Sequence, residues 1–141
     1  MEKRILSSDL MKYIALFQAI TRTDVKDCFE QNNQIIFVVM ENQLGKAVGK
    51  GASKVKLIQN KLNKQVRVIE YKSEVKSFIK SLLFPLRIRD ITEQDGIIEV
   101  TPEDIKTRGL MIGRNAQNLR NTEKIVQRFF DVTEIKIKNP Q

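Results

Sequence analysis

Gly45-Lys46-Ala47-Val48-Gly49-Lys50-Gly51-Ala52-Ser53-Lys54-Val55 returns further along the chain as Gly109-Leu110-Met111-Ile112-Gly113-Arg114-Asn115-Ala116-Gln117-Asn118-Leu119, an offset of 64 residues. Both stretches read glycine, spacer, two apolar residues, glycine, a basic residue, a small or polar residue, alanine, two polar residues and an apolar one. The flanks repeat too. Met11-Lys12-Tyr13-Ile14 aligns with Val75-Lys76-Ser77-Phe78 at the same offset, and Asn32-Asn33-Gln34-Ile35-Ile36 resembles Glu93-Gln94-Asp95-Gly96-Ile97-Ile98 at about 62. Matching elements in matching order indicate a duplicated unit, and repeats of this kind decide a fold before any local propensity does.

Hydrophobic periodicity fills in each copy. Leu10, Ile14, Phe17 and Thr21 form one stripe of a helix over about 9–21, with Ser7, Ser8 or Asp9 available to cap it. Strand patterns over about 25–30 and 35–41 flank an Asn32-Asn33 turn. A short helical segment near 43–48, the glycine loop, a helix over about 52–63 (Val55, Ile58 and Leu62 inward) and a strand over about 65–71 complete the copy. In the second copy Val75, Phe78, Ile79 and Leu82 form the first stripe, ended by Pro85. Strands at about 86–92 and 96–101 follow. Thr101-Pro102-Glu103 reads as the opening of a short helix. A helix over about 116–130 carries Leu119, Val126, Phe129 and Phe130 inward, and a last strand alternates Ile135 and Ile137 with Lys136 and Lys138. The expected fold is α/β (α+β): two tandem units, residues 1–72 and 73–141, each α-β-β-α-α-β with a three-stranded sheet and helices on one face.

A net charge of +8 favours acidic partners such as RNA, DNA or an anionic surface. The chain has no histidine, which removes Ser–His and Cys–His nucleophile systems and most zinc sites. No catalytic residue, metal site or cofactor is expected, and a small-molecule ligand is not favoured. The single cysteine, Cys28, reads as a small core residue. No run approaches the ~20 apolar residues of a membrane helix, and the N-terminus lacks the apolar stretch of a signal peptide. The expected location is cytoplasmic.

A glycine loop before a helix can bind phosphate, or can be a tight helix–helix turn that needs glycine for sterics alone; the basic residue in both copies and the +8 charge favour the first. Glycine lets the backbone approach an anion, and the helix start offers N–H groups and positive partial charge. Lys50 and Arg114 add a cation at the same place in both copies, and Asn115 adds hydrogen-bonding capacity. Two nucleotide-binding readings fail on spacing. Gly45 to Lys50 is one residue short of G-x-x-x-x-G-K-[ST], with no hydroxyl residue after the lysine, and no G-x-G-x-x-G occurs.

The order α-β-β-α-α-β with a G-x-x-G-type loop between two helices resembles the type II KH domain, an RNA-binding module. The tandem pair resembles the KH domains of the NusA family of transcription factors, in particular its short archaeal members, over nearly the whole chain. That resemblance implies binding of single-stranded RNA, about four nucleotides per domain, on the nascent transcript, and a role in transcription elongation, termination or antitermination; RNA polymerase is a further candidate partner. Carried over by position, the RNA-binding residues are Gly49, Lys50, Gly51, Ala52 and Lys54, then Gly113, Arg114, Asn115, Ala116 and Asn118. The fourth loop position is usually glycine in the family and is Ala52 and Ala116 here. Both alanines are expected to open a helix at negative φ, where alanine is favoured. A protein-interaction scaffold with the same fold, or a ribosome-associated KH protein, are the alternatives.

Overall fold

A computed structural model describes residues 7–140 and divides the chain between Lys72 and Ser73 into two compact units. The first runs α1 (Ser7–Thr21), β1 (Val25–Gln31), β2 (Gln34–Val39), α2 (Leu44–Val48), α3 (Ser53–Leu62) and β3 (Gln65–Glu70). The second runs α4 (Val75–Leu83), β4 (Ile88–Gln94), β5 (Ile97–Pro102), α5 (Ile105–Ile112), α6 (Gln117–Gln127) and β6 (Glu134–Ile137). Each unit is thus α-β-β-α-α-β. In each sheet the central strand pairs antiparallel with the first and parallel with the last.

The hairpins are built by their turn residues. Asn32 and Asn33 (φ 52° and 61°) and Asp95 and Gly96 (φ 53° and 79°) both take positive φ, as the two-residue turns matching strand twist require. These turns stand 63 residues apart, one more than the sequence comparison gives. Each first strand also carries an irregularity at the same place, between Val25 and Asp27 and between Ile88 and Asp90. The sequence patterns gave no sign of these bulges.

The first unit's core lies on one face of its sheet. Phe17 of α1, Ala47 of α2 and Ile58 of α3 pack with Cys28, Ile35, Phe37, Val39 and Val66 of the strands. Leu10, Ile14, Val55 and Leu62 pack against this cluster from the expected helix stripes. Phe17 and Phe37 stack with ring centroids 4.2 Å apart. Cys28 is buried, as a small core residue should be. Strand β2 is buried on both faces, since Ile35 to Val39 is an unbroken apolar run; β5 alternates, with Ile98, Val100 and Pro102 buried between half-buried neighbours. Met111, at the repeat position of Ala47, is buried, as are Ile125, Val126 and Ile135.

Two helix boundaries differ from their sequence expectations. Pro102 is the last residue of β5 rather than the start of a helix. Asp104 caps α5 instead, its carboxylate accepting the Thr107 backbone N–H at 2.7 Å. That bond, with a second from the Thr107 side chain, holds the Asp104 carboxyl below its ordinary pKa. Helix α6 ends at Gln127, not near 130. Asn63, in the left-handed conformation, stops α3 cleanly. No such residue follows α6, so the chain turns through Phe129 and Phe130, whose rings both lie 5.5 Å from that of Phe78.

Candidate RNA-binding loops

Each loop begins where a short helix runs out. Gly49 ends α2 at φ 79°, ψ 168°, and Gly113 ends α5 at φ 73°, ψ 176°. This region of backbone space is accessible essentially to glycine alone. A single 3₁₀ turn follows (Lys50–Ala52, Arg114–Ala116), within which Gly51 and Asn115 are left-handed. The dihedrals quoted for equivalent loop positions agree to within 8°, although the side chains differ.

The same bonds close both loops. Gly49 N–H donates to Gly45 O at 3.0 Å and Gly113 N–H to Gly109 O at 2.8 Å; Ala52 and Ala116 N–H each donate back to the first loop glycine's carbonyl at 3.2 Å. Lys54 and Asn118 add a tie from the next helix. Lys54 Nζ donates to Lys46 O, and Asn118 Nδ2 to Leu110 O, both at 2.9 Å. Both side chains pass directly over the first loop glycine. A Cβ built on Gly49 would lie 2.9 Å from Lys54 Cγ, and one on Gly113 would lie 2.6 Å from Asn118 Cγ. So the sequence grouped Lys54 and Asn118 with the loops, and the structure brings them there, but as ties that set the loop's shape.

Ala52 and Ala116 depart from expectation. Both are left-handed, at φ 59°, and not helical. An L-residue with a Cβ is strained there by about 1–2 kcal/mol. Replacing either alanine by glycine is therefore expected to stabilise its unit by about 0.5–1 kcal/mol, after allowing for glycine's freer unfolded chain. Urea denaturation of Ala52→Gly and Ala116→Gly checks this; a loss of stability in both would contradict the left-handed assignment.

The electrostatics break a second local rule. No side chain caps α3 or α6, and neither has an acidic residue in its first turn. Helix starts carry positive partial charge and favour carboxylates. Here Lys54 and Lys56 occupy the first turn of α3, and Lys50 and Arg114 stand exposed just ahead of the two helices. Left-handed alanines, missing caps and cations at the positive helix end all raise the energy of the loop, and an anion seated against the N–H groups would offset the last two. Gly51 and Asn115 are exposed at the tip, and a Cβ on Gly51 would meet nothing within 4 Å. Among the described residues no cluster of three or more acidic, cysteine or histidine side chains is placed to hold a metal, and no helix is long and apolar enough to cross a membrane.

A model of the KH domain matches residues 12–107, which include the first loop and reach into the second unit. The chain belongs to the KH domain family. Probable transcription termination protein NusA of Methanocaldococcus jannaschii is 29% identical over 140 residues, covering 95% of this chain and 74% of that protein. The protein of the same description from Thermoplasma acidophilum is 26% identical, covering 98% of each chain. Its counterpart from Halobacterium salinarum is 27% identical, over 94% of this chain and 96% of the relative. Among solved structures, the crystal structure of APE1850 matches with a TM-score of 0.77 and 27% identity, over 94% of this chain and 100% of that one. With relatives aligned along nearly its entire length, the chain is a NusA-like KH protein.

Proposed function

We propose that this NusA-like KH protein is a non-catalytic, cytoplasmic binder of single-stranded RNA that acts on the nascent transcript in elongation and termination, in contact with RNA polymerase. Residues 1–72 and 73–141 each serve as one KH domain. The loop residues Gly49, Lys50, Gly51 and Ala52, and Gly113, Arg114, Asn115 and Ala116, hold the RNA backbone, with Lys54 and Asn118 fixing the loops beneath it. The observation that carries this reading is the duplicated, energetically unfavourable loop: two different sequences hold one strained backbone that ends in a bare helix start beside a cation. The relatives' description as transcription termination proteins supports the cellular role.

Fluorescence anisotropy with single-stranded RNA across a salt series tests it. Affinity should fall as salt rises, because phosphate binding releases counterions. The fourfold variant Lys50→Asp, Gly51→Asp, Arg114→Asp, Asn115→Asp should lose affinity on the order of 100-fold, since each loop exchanges its cation for carboxylates facing phosphate. It should keep its circular dichroism, because these four positions are exposed and aspartate tolerates the left-handed conformation of Gly51 and Asn115. Undiminished binding by the folded variant would sink the loop reading.

A further inference from the structure

The two loops share a backbone but not a charge. Up to Lys72 the chain has 13 basic and 7 acidic residues, a net of +6; from Ser73 on it has 12 and 10, a net of +2. Much of the contrast lies in the loop and the helix that follows it. Between Glu41 and Glu70 there is no acidic residue at all, while Lys46, Lys50, Lys54, Lys56, Lys61, Lys64 and Arg67 fall within that stretch.

A structural task shared by both units accounts for part of this. The last strand of each sheet needs an acceptor for an N–H near its start. In the first unit Gln59 Oε1 accepts from Val66 N–H at 3.1 Å. In the second, the residue 64 positions on is Glu123, whose Oε2 accepts from Ile135 N–H at 2.9 Å. An amide does this work without charge. A carboxylate brings a negative charge, and Arg120 Nη1 lies 3.1 Å from its Oε1. Arg120 is the repeat equivalent of Lys56. Among the described residues no carboxylate pairs with Lys50 or Lys56, and Lys54 is tied to a neutral carbonyl. The first loop therefore presents three uncompensated cations, Lys50, Lys54 and Lys56. The second presents Arg114 alone, with Arg120 paired to Glu123.

Resting on the RNA reading above, we propose that the two units divide the work unequally. The first is a general polyanion grip that supplies most of the salt-sensitive affinity for the sugar–phosphate backbone of any single strand. The second contributes a weaker, salt-tolerant contact made more by hydrogen bonding than by charge.

The full chain tests this, with a short unstructured oligouridine RNA as probe and the slope of log affinity against log salt as readout. Lys50→Asp, Gly51→Asp in the first loop should flatten the slope by clearly more than Arg114→Asp, Asn115→Asp in the second. Glu123→Gln installs the residue the first unit already uses, so the strand N–H keeps its acceptor and Arg120 is released. That variant should steepen the slope by about 0.7, the increment for one more phosphate contact on a single strand. Its melting curve reports whether the hydrogen bond survives. Equal flattening by the two loop variants, or an unchanged slope in a folded Glu123→Gln chain, would overturn the division of labour while leaving RNA binding intact. A parent chain that binds no RNA would overturn the RNA reading itself, and this inference with it.

Discussion

Gly113→Ala should destabilise the second unit by about 3 kcal/mol, far more than alanine costs at an ordinary loop position. Two effects add. At φ 73°, ψ 176° a Cβ is strained by about 1–3 kcal/mol. The new methyl would also lie 2.6 Å from Asn118 Cγ and 2.7 Å from its Nδ2, so the side chain must swing away and release Leu110 O. Losing that bond costs about 1 kcal/mol more. Amide exchange at Ile98 and Val100, buried on β5, measures the second unit's stability directly. The double variant Gly113→Ala, Asn118→Ala separates the two effects: relief of the clash should recover part of the loss, and the dihedral strain should persist. Full recovery would mean that Gly113 is needed only for space.

Phe37→Ala should be the most damaging change in the first unit, at about 3–5 kcal/mol. Phe37 is completely buried, stacks on Phe17 and lies at the centre of the cluster that joins three helices to the sheet. A unit of this size has little margin, so such a loss brings it close to unfolding at room temperature. The molecule carries its own reporter. Cys28 is the chain's one cysteine, sits directly across from Phe37 in the β1–β2 register, and is 6% exposed. Thiol labelling under native conditions should be slow in the parent chain and faster by on the order of 100-fold or more in Phe37→Ala. Unchanged labelling would show that the core closes over the gap.

Most of the architecture was legible because it was written twice. The stripe Val75, Phe78, Ile79, Leu82 is buried throughout, and the elements of both copies fall in the expected order. What escaped the sequence were features that act against local propensity or that use short polar contacts. Ala52 and Ala116 read as helix starters because alanine favours that state; the surrounding loop holds them left-handed instead. The Asp104 cap is masked in the sequence by Pro102 two residues earlier, the more conspicuous signal. The ties from Lys54 and Asn118 join a helix to a carbonyl eight residues upstream, and no periodicity marks such a bond. The loops were found by their glycines, but their shape is set by side chains that looked like surface.

The unequal burial of the two central strands bears on how freely the copies could drift apart. Every residue from Ile35 to Val39 is enclosed, so that segment of β2 can exchange only among apolar residues of similar volume. In β5 every second position is half-exposed, and Glu99 and Thr101 already stand there between Ile98, Val100 and Pro102. The second copy therefore had room to acquire polar substitutions in the middle of its sheet that the first copy could not accept. Alignments of such repeats will lose their likeness first along β5, while the loops, bound by their dihedral geometry, remain the most recognisable part of both copies.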